Sequence, residues 1–538
     1  MQRTTTLRWL ACLACLAAIA AGGEGALTDP IRLDSGLVSG AAVGFAGDVH
    51  VYKGIPFAAP PVGDLRWGPP QPVKPWEGTR ACTEFGPWCP QPKPLMGREM
   101  GTQGEDCLYL NVWTPAKSPA DKLPVMVWIH GGGHTTGSGA SSFYNGEALA
   151  REGVVLVTIN YRLGPFGYFA HPLLSKESER KVSGNYGLLD QIAALQWVQR
   201  NIAAFGGNPG CVTIFGESAG AVSVCRLMVS PLSKGLFHRA IAESGGAQGH
   251  NRGLRDTRDG LEPMEKVGER IAESLGCDKA ADPLAALRAK TPQELLDASH
   301  PTQGLFGKGI RFGPIVDGWA LPDDPAALFA AGRQHDVPFM AGSNADEGSV
   351  FTRQLPIQRV FGYKWMVRRR FGGHADAVLR LFPAERDEDA SAAMSRLVGV
   401  SAFVAPARAL VRAMERVASP GYLYHFTRVA PIERLKPLGA FHALEIGYVF
   451  GTLEGHAGFD EKDKALSQTM RKAWARFAAT GDPNGEGLPQ WPPYRAETDP
   501  YMEFGDAVAP KAGLYKAACD LFDAIQSQRG PRPQPADF

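Results

Sequence analysis

Short apolar runs punctuate the chain from residue 124 onward. Pro124–Ile129 (PVMVWI), Val154–Ile159 (VVLVTI), Cys211–Phe215 (CVTIF), Val337–Ala341 (VPFMA) and Tyr422–Phe426 (YLYHF) are rich in β-branched and aromatic side chains. Unbroken apolarity over such a length marks strands buried on both faces. Between the strands the period changes. Leu188, Ile192, Leu195, Val198 and Ile202 recur at steps of three and four, which makes one apolar stripe of a helix over Leu188–Phe205, ended by FGGNPG. Strands alternating with helices predict an α/β fold, a large and mostly parallel sheet covered by helices on both faces. In such sheets ligands gather at the carboxyl ends of the strands.

No repeat, low-complexity linker or abrupt shift of composition interrupts residues 26–525, so they read as one large domain with insertions. Residues 1–25 read differently. Arg3 and Arg8 precede an apolar stretch, Leu10–Ala21, that carries the small-residue pattern Ala18-Ile19-Ala20. A bilayer span needs roughly 20 apolar residues, so this shorter stretch is expected to be a cleaved signal peptide. No later segment reads as a membrane span. The mature chain is expected to be soluble and secreted or periplasmic, and residues 526–538, polar and proline-rich, to form a disordered tail.

With 44% hydrophobic residues, 21% charged residues and a formal net charge of +1, nothing argues for a nucleic-acid or anionic membrane partner. Seven cysteines follow the signal segment: Cys82, Cys89, Cys107, Cys211, Cys225, Cys277 and Cys519. Export would permit disulfides, and the odd number leaves at least one thiol unpaired. No C-x-x-C pair or His/Cys cluster has metal-ligand spacing, so no metal is expected.

Candidate chemistry begins at TIFGESAGAV, Thr213–Val222. A shuffled chain of this composition would hold about 0.3 G-x-S-x-G matches, so the pattern alone is weak and its setting decides. A buried strand leads in and a helix leads out. Gly216 and Gly220 let the backbone fold tightly around Ser218, whose hydroxyl is pushed over the sheet edge, while Ala219 offers its N–H at the helix start. A serine nucleophile also needs a base, a carboxylate that orients the base, and N–H donors for the oxyanion. WIHGGGHTTGSG, Trp128–Gly139, ends a strand in three glycines, and Gly132 and Gly133 with Ala219 are the expected oxyanion donors. Twelve histidines and 55 acidic residues leave the base and the acid open at this point.

The stretches YKGIPFAAPPVGDLRW, CPQ, EDCLYLNVWTP, NYGLLDQIAALQWVQRNIAAFGGNP, VTIFGESAGAVSV, GPIVDG, AGSNADEGSVF, GAFHALEIGYVFG and WARFAATGDPN occur in this order over nearly the whole mature chain. Together they resemble the type B carboxylesterases, α/β-hydrolases that include cholinesterases and bacterial para-nitrobenzyl esterases. The resemblance implies an α/β-hydrolase fold with loop and helical insertions over the active site. It implies a serine hydrolase that cleaves small-molecule carboxylic esters through an acyl-enzyme and requires no cofactor. The family's nucleophile matches Ser218, its acid Glu347 and its base His442. The family's disulfide matches Cys89–Cys107. The same fold also serves catalytically dead adhesion proteins, which typically lack a member of the triad; all three are present here. Oligomeric state is not legible.

Departures from the family narrow the substrate. PKPLMGREMGTQGEDC contains no aromatic residue where cholinesterases place the tryptophan that stacks on choline, so a choline site is not expected. His134 follows the three glycines where many relatives have an aromatic residue; it either contacts substrate or caps the loop. The residues before GPIVDG, Lys308–Phe312, match the wall of the acyl pocket. Ile310 there is expected to admit acyl groups larger than acetyl. An inward basic side chain, Lys308 or Arg311, would favour an acyl group bearing a free carboxylate, whereas outward ones would merely be solvated. YKWMVRRRF, Tyr363–Phe371, reads as a solvated helix face.

Overall fold

A computed structural model describes residues 26–44, 47–94, 100–248, 251–353, 355, 357–453 and 457–527. The expected signal peptide lies outside them, as does the expected tail apart from two residues that finish a helix, Lys516–Ser527.

Eleven strands form one sheet: β1 (Ala41–Val43), β2 (Val49–Pro56), β3 (Tyr109–Thr114), β4 (Leu123–Ile129), β5 (Val155–Ile159), β6 (Gly207–Glu217), β7 (Arg239–Glu243), β8 (Phe339–Asn344), β9 (Gly421–Phe426), β10 (Pro500–Phe504) and β11 (Val508–Ala512). Their order across the sheet is β1-β2-β3-β5-β4-β6-β7-β8-β9-β10-β11. From β5 to β10 every neighbour is parallel, and both edges are antiparallel. A separate small sheet joins Ile31–Arg32, Leu37–Ser39 and Thr79–Ala81.

Side chains of a strand alternate between faces, and here both faces are core. Val125, Val127 and Ile129 of β4 enter one apolar cluster with Leu188, Leu195 and Val224. Met126 and Trp128 enter another with Phe450, Trp474 and Phe477. The helices Tyr186–Asn201 and Ala219–Leu227 therefore cover one face, and Glu445–Phe450 and Glu461–Thr480 the other. The predicted helix over Leu188–Phe205 begins two residues earlier. Its last turn tightens to 3₁₀ over Ile202–Phe205 and stops at Gly206, which takes φ +77°.

The helical run Asp387–Arg416 is long and apolar enough to cross a membrane by length and composition, but 78% of its apolar window is buried inside the protein, as in a core helix. Pro406 has no N–H to donate and its ring crowds the preceding turn; just before it the run loosens to a π-turn over Val400–Val404. The YKWMVRRRF segment lies in a helix, Val360–Phe371, whose Trp365, Arg368, Arg369 and Arg370 are exposed.

Candidate active site

Strand β6 delivers Ser218 into a turn that side-chain-bearing residues rarely adopt, with φ 55° and ψ −119°. Such a conformation costs of order 1–3 kcal/mol and persists only where its surroundings over-determine it. The surroundings are close. A Cβ on Gly216 would stand 2.5 Å from the Ile129 carbonyl oxygen, and one on Gly220 only 1.9 Å from it. Both glycines are thus required by the end of β4 passing against the turn. The Ser218 N–H donates to the Glu243 carbonyl at 2.9 Å, and the Ser218 carbonyl accepts from Val222 N–H as the helix Ala219–Leu227 begins.

The glycine loop is held beside this turn. A Cβ on Gly131 would lie 3.2 Å from the Ser218 Cβ, whereas one on Gly133 would meet nothing within 4 Å. Gly132 and Gly133 are exposed and both have positive φ. Gln91, from the CPQ motif, accepts from Gly137 N–H at 2.7 Å and donates to the Gly137 carbonyl at 2.9 Å. This clamp was not anticipated from the sequence. His134, for which substrate contact and loop capping were the two alternatives, lies buried against the helix Ala219–Leu227. Its Nε2 pairs with Ser223 Oγ at 3.0 Å, and its buried ring packs edge-on to Tyr168. Burial pushes its pKa down to about 3, so it stays neutral.

Glu347 and His442 lie on loops beyond β8 and β9. Glu347 Oε2 is 2.6 Å from His442 Nδ1, while Oε1 accepts from Asn344 N–H at 2.7 Å. Asp346 ties the two loops together: its N–H donates to the Ala440 carbonyl and its carboxylate accepts from Ala440 N–H, both at 2.9 Å. The His442 ring packs against Phe351 and Phe403, with centroids 4.9 and 4.8 Å away, and those two rings stack on each other at 5.7 Å. Phe403 belongs to the π-turn, a device that recurs at functional sites because it redirects a side chain.

The other imidazole nitrogen does not meet the serine. His442 Nε2 is 3.0 Å from Glu217 Oε1, and among the described residues no hydrogen bond links His442 to Ser218. Glu217, Glu347 and Glu445 are all buried and act on this histidine. Burial opposes the imidazolium, but Glu217 and Glu347 outweigh it and raise His442 to about 9. Burial pushes Glu217 well above the usual carboxylate range against the pull of His442, and raises Glu445 to about 7. Sequence reasoning missed Glu217, Phe351 and Phe403; adjacency to Ser218 was the only available signal, and it applied to Glu217 alone.

Cys89 and Cys107 are both buried free thiols here rather than the expected disulfide. They are neighbours, and contact with Cys89 together with burial pushes the Cys107 thiol upward. Among the described residues no group of three His, Cys, Asp or Glu is placed to hold a metal. Ile310, the expected acyl-wall residue, is half-buried in a loop whose end reaches His134.

The sequence profile described as the carboxylesterase family matches residues 28–522. A fumonisin B1 esterase of Sphingopyxis macrogoltabida is 42% identical, with 91% of this chain and 89% of that protein covered. A para-nitrobenzyl esterase of Bacillus subtilis is 38% identical over 84% of this chain and 90% of its own length. A solved structure of PNB esterase superposes with a TM-score of 0.78 at 33% identity, covering 91% of this chain and 99% of the other. The sheet and its helical layers are those of an α/β-hydrolase.

Proposed function

This chain belongs to the carboxylesterase family and hydrolyses carboxylic esters, and we propose that it does so through Ser218, His442 and Glu347. The observation that carries the reading is the 2.6 Å contact between Glu347 and His442, close to a serine held in a strained turn. A carboxylate bonded to Nδ1 fixes the tautomer that leaves Nε2 free to accept a proton, and it stabilises the imidazolium that results.

In this reading Ser218 Oγ attacks the ester carbonyl carbon as His442 Nε2 takes its proton. The N–H groups of Gly132, Gly133 and Ala219 receive the oxyanion. His442 then protonates the departing alcohol, and water repeats the sequence on the acyl-enzyme. The imidazole first turns Nε2 from Glu217 toward Ser218.

The same proposal takes the protein to be exported and not choline-specific. Arg3, Arg8 and the Leu10–Ala21 stretch support export, and the absence of aromatics between Pro92 and Cys107 opposes a choline site. A fluorophosphonate probe tests the core of the reading: it should label the intact chain at Ser218 and abolish ester hydrolysis. Labelling elsewhere, or hydrolysis that survives full labelling, would refute it.

A further inference from the structure

The near-neutral charge of the whole chain conceals one strongly cationic segment. From Gly348 to Ala375 there is no Asp or Glu, while Arg353, Arg359, Lys364, Arg368, Arg369 and Arg370 all fall within it. Cations packed so densely would ordinarily be offset by carboxylates from elsewhere in the fold. Among the described residues, Arg353, Arg359, Lys364, Arg368 and Arg369 join no ion pair, whereas Arg386 on the adjoining segment pairs with both Glu388 and Asp389.

Within this segment the helix Val360–Phe371 is fastened on one side only. Tyr363 and Val367 are buried, and the Tyr363 hydroxyl donates to the Phe382 carbonyl at 2.6 Å. At the helix start Asp387 Oδ1 accepts from Val360 N–H at 2.9 Å, and at its end the Phe371 ring meets Phe522 with centroids 5.9 Å apart. These anchors fix how the helix is turned about its axis. Phe361 and Trp365 therefore point outward, 81% and 51% exposed, and no other described large apolar side chain is as exposed as Phe361.

The two aromatics form a ridge. At 3.6 residues per turn they stand about 40° apart around the helix, with Lys364 and Arg368 on one flank and Arg369 on the other. The Arg369 guanidinium lies over the Trp365 ring, 5.3 Å from its centroid. An apolar crest between rows of cations matches a surface that is negative at its border and apolar just beneath, which is how an anionic bilayer is layered. Two other occupants suit the face less well. Single-stranded nucleic acid lies in concave cationic grooves, and this is a convex ridge on a chain of net charge +1. A second copy, docked by two-fold symmetry through the same face, would set the arginines of one helix against those of the other.

We infer that the helix Val360–Phe371 seats the protein on the surface of an anionic lipid bilayer, with Phe361 and Trp365 in the headgroup layer and Lys364, Arg368 and Arg369 against lipid phosphates. The association is peripheral and non-covalent, and it does not depend on the chemistry proposed at Ser218.

The test is flotation of the purified protein with vesicles of phosphatidylcholine alone and of phosphatidylcholine and phosphatidylglycerol in equal parts. Wild type is compared with a Phe361→Ser/Trp365→Ser double variant, an Arg368→Gln/Arg369→Gln double variant, and Phe143→Ser, which removes an exposed aromatic elsewhere on the surface. Wild type should favour the mixed vesicles and leave them as salt rises. Each double variant should bind them about 10-fold or more weakly, the arginine variant with a flatter salt dependence, and Phe143→Ser should match wild type. Both double variants should keep the wild-type Tm and the wild-type rate on a soluble ester. Equal binding of wild type to the two vesicle types, or undiminished binding in both double variants, overturns the inference. So does neglect of vesicles by a wild type that instead forms a dimer dissolved by Phe361→Ser/Trp365→Ser, or that captures an oligonucleotide through Arg368 and Arg369.

Discussion

His442 Nε2 stands 3.0 Å from Glu217 Oε1, so the proposed base is bracketed by carboxylates at both nitrogens. In this pose the nitrogen proposed to accept the serine proton is engaged by Glu217. Glu217 thereby influences both the direction the ring faces and the pH at which it becomes neutral.

A neutral imidazole is required to accept the serine proton, and His442 is raised to about 9 by Glu217 and Glu347 against the effect of burial. Activity should therefore climb with pH as the ring loses its proton. Glu217→Gln removes one of the raising groups, so the rising limb of the kcat/KM profile should move to lower pH. For stability the sign is opposite: the contribution is fully present below the ordinary value near 6.5 and is lost as pH rises through about 9. A limb that stays in place in Glu217→Gln would show that Glu217 does not control this ionisation.

Ser218→Ala should leave a folded protein whose ester hydrolysis is down by about 10⁴-fold or more, since a triad acts as a unit and only binding and oxyanion terms survive. His442→Ala should fall comparably. Glu347→Gln should lose somewhat less, because that carboxylate orients but does not transfer the proton. Steady-state rates, with circular dichroism to verify folding, decide the matter; Ser218→Ala activity within tenfold of wild type would dismiss the assignment.

Two glycines near the nucleophile should respond in opposite ways. Gly220→Ala forces a Cβ to within 1.9 Å of the Ile129 carbonyl oxygen, so the turn or β4 must shift; thermal unfolding should drop sharply or soluble protein disappear. Gly133→Ala meets nothing within 4 Å but retains φ +66°, a strain of about 1–2 kcal/mol. It should fold with a modest loss of Tm while kcat falls more than KM changes. Equal tolerance of both substitutions would contradict the close passage of β4.

The central strands were legible because a strand buried on both faces is apolar along most of its length, as β4 is throughout and β5, β8 and β9 are apart from Thr158, Ser343, Asn344 and His425. The edges were not. β1 and β11 have half-buried or exposed residues throughout, and β6 begins with the polar Gly207–Gly210 stretch, which lies beside β4 even though it buries little. Ser218 was legible because its turn is local in sequence. Glu347 and His442 are not marked by any local pattern; their pairing is a property of two loops that meet only in the folded sheet, and only the family resemblance pointed to them. Glu217, Phe351 and Phe403 were missed for the same reason, since packing around an imbedded imidazole leaves no periodic trace.

The double hydrogen bond between Asp346 and Ala440 has a dynamic consequence. The proposed acid and base are borne by loops 95 residues apart in sequence, yet this strap should make the loops open as one cooperative unit rather than fray separately. The amides of Asp346 and Ala440 should accordingly show matching protection in hydrogen exchange, and heat that releases one loop should release the other, so that the catalytic pair is lost in a single event while the sheet beneath it still stands.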